Sequence, residues 1–255
     1  MKVFAIALNT CREAIRDKVL YSILLFACVV TAVSAAFGWA SIGDTIKFVK
    51  DFSLFSISFF GVVTTVVLGV NLLSKELGKR TIYNILSKPV RRWHFLLGKF
   101  LGLLATLAVM MALMTVTLLT LLYFLEGRLD LQIVPVIAVM VLELSILSAV
   151  AIFFSSIVVT PALAGLFTAA TFIAGRSIPM LGYFMTPDQP TTLRYLARGL
   201  GTVLPHLNQF YIADHVVYGL SLPLVYYLHA TIYAGAYTAL LLIVSVAIFR
   251  RREFV

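Results

Sequence analysis

Apolar residues fill this chain in long blocks, and short clusters of charge separate the blocks. The first 18 residues, MKVFAIALNTCREAIRDK, break that pattern, because Arg12, Glu13, Arg16 and Asp17 interrupt them. On a helical wheel Phe4, Ala7, Leu8, Cys11, Ala14 and Ile15 share one face, and Asn9, Arg12, Glu13 and Arg16 share the other. The pattern predicts a helix lying in a membrane interface over residues 1–18. Val19–Ala40 predicts a first span. Its uncharged run continues to Gly43, about 37 Å of helix, which exceeds a hydrocarbon core of about 30 Å. Asp44, Lys47, Lys50 and Asp51 read as a short loop, Phe52–Leu73 as a second span and Phe100–Leu125 as a third. Glu126, Arg128 and Asp130 mark the next loop.

From Leu131 to Gly175 the chain carries one charge, Glu143, and the run is too long for a single span. Thr160-Pro161 supplies the turn, with Thr160 as a helix N-cap and Pro161 in the first helical position. A fourth span over Leu131–Val159 and a fifth over Pro161–Leu181 follow, with Arg176 and Pro179 marking a break or a snorkelling arginine. Residues 182–223 form an external segment. Pro187-Asp188-Gln189-Pro190 is a turn cluster, and the amphipathic stretch after it, with Tyr195, Phe210, Tyr211 and Tyr218, predicts one or two short interfacial helices. A sixth span, Leu224–Phe249, ends at Arg250-Arg251-Arg252. The expected fold is an all-α integral membrane protein, one domain over residues 1–255 with six transmembrane helices.

Composition removes the main alternative. Hydrophobic residues make up 61% of the chain and charged residues 12%, against about 25% charged in soluble domains. The mean hydropathy is +1.02. Such a chain needs lipid as solvent, which excludes a soluble enzyme. The net charge of +9 follows the positive-inside bias rather than nucleic-acid binding. With the N-terminus inside, cytoplasmic segments hold 14 of the 20 basic residues, so both termini are expected in the cytoplasm of a prokaryotic inner membrane. Cys11 and Cys28 have no paired spacing.

Catalytic motifs are missing. Neither Gly78-Lys79 nor Gly98-Lys99 has the upstream glycine of a phosphate-binding loop. The chain is therefore not expected to be an enzyme or to bind a cofactor or metal. The scattered histidines have no ligand spacing, and Met110, Met111 and Met114 read as packing. Glu143 is the intramembrane acid, open to a proton site, a substrate contact or a hydrogen bond to another helix. Ser53, Ser56, Thr64 and Asn71 share one face of the second span, and Thr168, Thr171 and Gly175 share one on the fifth. They suit a pathway, a dimer seam or ordinary packing. Gly98-x-x-x-Gly102 and Ala230-x-x-x-Ala234 are further small-residue pairs.

The residues 74–102, SKELGKRTIYNILSKPVRRWHFLLGKFLG, carry Lys75, Lys79, Arg80, Lys88, Arg91, Arg92 and Lys99 against Glu76 alone. Charge on that scale places the stretch outside hydrocarbon, on the cytoplasmic side. Glu76, Thr81, Leu86, Pro89, Arg92 and Gly98-Lys99 together resemble the cytoplasmic loop of ABC-2-type permeases. These are the membrane subunits of prokaryotic exporters powered by separate ATPases. The resemblance extends to the layout of N-terminal helix, spans and external segment. It implies a coupling segment over residues 74–99 that docks on an ATP-binding-cassette subunit, two ATPases and a second permease copy or homologue per complex, and an accessory protein outside. ATP and magnesium would sit on the partner. Chemistry adds Ile82, one turn from Leu86, as an apolar anchor, and Arg80 and Arg91 as charges that set register. An ion-coupled transporter or channel using Glu143 is the alternative.

Overall fold

The computed structural model describes residues 2–40, 45–78, 92–158, 160–184, 191–218, 220 and 222–251. Among these, every regular element is helical. In chain order they are α1 (Lys2–Ile15), α2 (Lys18–Ala40), α3 (Thr45–Gly78), α4 (Arg92–Glu126), α5 (Ile133–Ile157) and α6 (Pro161–Arg176). Then come α7 (Ile178–Phe184), α8 (Thr191–Val203), a 3-10 turn (Leu207–Phe210), α9 (Ala213–Val217) and α10 (Leu224–Arg251). Five of the described helices, α2, α3, α4, α5 and α10, are long and apolar enough to cross a membrane.

The most apolar of them, α5, is also the most enclosed, with 78% of its apolar window buried against 22% for α2 and 28% for α10. It touches α3, α4, α6 and α10 and acts as the central post. Met110, Met111 and Met114 of α4 are buried in the same core as Leu144 and Leu147 of α5. Methionine suits this position because its unbranched thioether fills irregular gaps between helices.

Besides α4, which begins at Arg92 rather than Phe100 and takes in the end of the expected coupling segment, two elements depart from the spans read in the sequence. Residues 45–51, expected as a loop, are the first two turns of α3. Lys50 tolerates a buried place there because its Nζ lies 3.0 Å from Glu126 Oε1 and 2.8 Å from Asp130 Oδ2, at the far end of α4. Arg128 adds an Nε–H bond of 2.9 Å to Glu126, and this bond raises the arginine's pKa. The loop between α4 and α5 thus closes on a small charge network.

The second departure concerns the fifth span. α6 has 16 residues, about 24 Å, and stops at Arg176 instead of running to Leu181. Pro179 has no N–H and its ring would collide with the carbonyl of Gly175. The helix yields at Ser177, whose N–H bonds back to Ile173 and Ala174, and α7 starts again at Ile178. At the other end Thr160 stands at the N-cap and Pro161 in the first helical position, but the Thr160 side chain makes no capping bond.

α1 packs along the first half of α4. A Cβ added at Gly98 would lie 2.6 Å from Ile6 Cβ, and one at Gly102 would lie 2.6 Å from the Ala7 carbonyl oxygen and from Thr10 Cβ. The Gly98-x-x-x-Gly102 pair is therefore the seat of α1. Steps of four residues on each helix match, so the two run in the same direction here. Lys99 Nζ stands 3.7 Å from Glu13 Oε2 across the seam. Ile6, Thr10 and Ala14 turn to the protein, while Phe4 and Leu8 stay exposed.

Candidate functional site

Within the bundle the chemistry concentrates at one place, where α3, α5 and α6 meet. Ten residues, about 15 Å, separate Glu143 from the start of α5 at Ile133. Glu143 is 1% exposed. A lone carboxylate there would be costly, and the last residue of α6 compensates it. Arg176 Nε–H donates to Glu143 Oε1 at 3.0 Å, and Nη2–H donates to Oε2 at 2.9 Å. Nη2 also lies 3.0 Å from Ser58 Oγ on α3. This is the two-pronged geometry in which a guanidinium binds a carboxylate most strongly. The Arg176 Cζ stands 4.5 Å from the Tyr211 ring centroid and 5.1 Å from that of Phe172, within the range of a cation–π contact. The chain breaks after Arg176 as expected, but Arg176 does not snorkel: it turns inward and joins three helices.

Tyr211 belongs to the segment between α8 and α10, which packs back into the bundle. Leu207, Phe210, Ile212 and Ala213 of this segment are all buried. A Cβ at Gly175 would lie 2.6 Å from the Pro205 carbonyl oxygen and 3.0 Å from Leu207 Cγ, so α6 meets the segment almost backbone to backbone. On the other side α10 holds it with three tyrosines. Tyr237 Oη donates to the Val203 carbonyl at 2.8 Å, the His206 N–H donates to Tyr233 Oη at 3.0 Å, and Tyr226 Oη donates to the Gln209 carbonyl. Tyr226 and Tyr237 are eleven residues apart on α10, about 16 Å. Residues 203–209 therefore run along α10, from beside Tyr237 back toward its first turn. Non-helical backbone needs such partners when it leaves water.

The polar face read on the second span is also internal. Ser53, Ser56 and Thr64 are buried, and so is Thr168 on α6. Ser56, Thr64 and Thr168 donate to carbonyls one turn back on their own helices, the usual resort of hydroxyls in apolar helices. Ser53 Oγ lies 3.3 Å from Ser34 Oγ of α2. Asn71 and Thr171 are half-buried. Among the described residues no group of His, Cys, Asp and Glu is arranged to hold a metal.

A family model for "ABC-2 family transporter protein" matches residues 4–254. The chain belongs to that family. No curated protein matches it. The ABC-2 protein is thus a membrane subunit of an ABC transporter, and membership implies an ABC ATPase as partner. Five long apolar helices agree with a multi-pass membrane protein. Of the residues expected to face the ATPase, Arg80, Thr81, Ile82, Leu86, Pro89 and Arg91 lie outside the described residues. Glu76 falls in the last turn of α3 and Arg92 opens α4.

The sequence reading missed Arg176 as the partner of Glu143. A signal was present, since Glu143 and Arg176 are the two charges between Leu131 and Pro187 and have opposite sign. It missed Ser58 and the three tyrosines as well. The i, i+7, i+11 spacing of Tyr226, Tyr233 and Tyr237 marks one helix face.

Proposed function

We propose that this ABC-2 protein is the permease half of an exporter in which a separate ATPase drives the movement of a solute across the inner membrane. The observation that carries the reading is the family match over nearly the whole chain. Energy enters through residues 74–99, where the basic cluster faces the cytoplasm and Ile82 and Leu86 offer an apolar anchor. Two permeases and two ATPases make the complex, and ATP and magnesium sit on the ATPases. In this reading α6 and α7 together make the fifth of six crossings, the termini lie inside, and α1 rests at the cytoplasmic membrane surface.

The helix lengths support that placement. α3 has 34 residues and α4 has 35, each above 50 Å at about 1.5 Å per residue, against a core of about 30 Å. Their surplus turns flank residues 79–91, and α1 packs on the surplus of α4. A movement imposed on the coupling segment thus has a stiff route into the membrane. The ion-coupled alternative needs a Glu143 that is free to exchange its partner, and the two-pronged bond from Arg176 speaks against that role.

Co-purification tests the reading. The tagged permease should bring down an ATP-binding-cassette protein, and Leu86→Asp with Arg92→Glu should release it while the permease still inserts and keeps its melting temperature. Equal recovery of the ATPase with the variant, or solute movement driven by an ion gradient in vesicles without ATP, would overturn it.

A further inference from the structure

The inserted segment 204–217 packs on α3 and α5 as well, and two of its attachments differ in kind. On the α10 side it is bound by hydrogen bonds with Tyr226 and Tyr233, and Tyr237 binds Val203 just before it. On the α6 side it packs against Gly175, and the face of Tyr211 lies on the Arg176 guanidinium, 4.5 Å away. That guanidinium is itself fixed from behind by Glu143 and Ser58. The Arg176 side chain remains 23% exposed although the carboxylate it binds is 1% exposed.

We infer that Arg176 is a positioning residue that latches the inserted segment to α6 through the Tyr211 ring. The reason lies in the bonding. The hydrogen bonds with Tyr226 and Tyr233 are directional and fix backbone groups of the segment, so parting it from α10 breaks them. A ring can slide off a cation and leave the Glu143–Arg176 pair intact, at the smaller loss of one cation–π contact. Separation of α6 from the segment is thus the easier opening, and Tyr211 is where it starts. This inference rests on the proposed placement of residues 204–217 toward the outside.

The test uses thiol accessibility. In a full-length protein with Cys11→Ser and Cys28→Ala, Ile212→Cys replaces a side chain that is 2% exposed beside Tyr211, and Tyr218→Cys, 69% exposed, serves as control. A membrane-impermeant maleimide is added outside intact cells. Ile212→Cys should label slowly with Arg176 and Tyr211 present, and at least about tenfold faster with Tyr211→Leu, while the melting temperature stays within a few degrees. Arg176→Lys should fall between wild type and Arg176→Gln, because lysine keeps the charge and loses the fork. Tyr233→Phe with Tyr237→Phe should not mimic Tyr211→Leu unless the protein is broadly destabilised. If Tyr211→Leu leaves Ile212→Cys as protected as before, while Tyr218→Cys labels normally, there is no latch. Fast labelling of Ile212→Cys in the wild-type background overturns it as well. No ATPase is needed for these measurements, so a failure of the latch is distinguishable from a failure of the exporter reading, which co-purification decides.

Discussion

Replacing Arg176 by methionine strands a carboxylate that has almost no access to water. Glu143, 1% exposed, loses both bonds from the guanidinium. Breaking a buried pair from one side costs about 3–5 kcal/mol, so Arg176→Met should be destabilised by that amount. Glu143→Met should cost less, about 2–3 kcal/mol, because the arginine keeps Ser58, both rings and a side chain that is 23% exposed. The double variant Glu143→Met/Arg176→Met leaves no stranded charge, and an apolar replacement of similar volume is close to neutral. The pair should thus show a coupling of at least about 3 kcal/mol, roughly two decades in the unfolding equilibrium, in a double-mutant cycle. Reversible unfolding of the purified permease in mixed micelles with increasing dodecyl sulfate reads all four proteins. A double variant as unstable as Arg176→Met would refute the reasoning, since it would make the cost one of lost packing rather than stranded charge. Single variants within 1 kcal/mol of wild type would refute it too.

Gly102→Val should unseat α1 and cost about 1–3 kcal/mol by overpacking, because the Ala7 carbonyl already occupies the space a Cβ needs; a melting temperature equal to wild type would contradict the seam. Gly235→Ala, inside α10 with nothing within 4 Å, should stabilise by about 0.5–1 kcal/mol in the same assay, and a loss would mean that something packs on that face. Tyr237→Phe removes the bond to the exposed Val203 carbonyl and should cost about 0.5–1.5 kcal/mol, with faster proteolysis after Val203 as a second readout; unchanged cleavage would remove the tyrosine anchor. Lys50→Met leaves Glu126 and Asp130 without their shared cation, so it should lower the melting temperature more than Lys50→Arg does, and equal effects would mean the charge network contributes nothing.

Much of the architecture was legible because the bilayer acts on sequence directly. A run of about 20 apolar residues has few other solvents, so the centres of α2, α4, α5 and α10 were recognisable from hydropathy alone. Helix ends were harder. The pattern started the second span only at Phe52 because Lys50 and Asp51 are charged, yet Lys50 sits in a helix since Glu126 and Asp130, more than 70 residues away, neutralise it. Pro179 warned of a break, and the break came at Ser177, two residues before it. Glu143 was recognisable as exceptional because one charge stands out in a long apolar stretch.

The sequence by itself determined that this chain lives in a membrane, which stretch is too basic to enter it, and which acid inside it must find a partner. These are transfer free energies, and they depend on composition over a window. Only the tertiary structure decided what Glu143 pairs with, where α1 sits, and that residues 203–212 fold back against α6 and α10. Those facts depend on which side chains from distant windows arrive within 3 Å of each other. Hydropathy carries no record of that, because a guanidinium at the end of α6 counts the same whether it reaches outward to water or inward to a carboxylate.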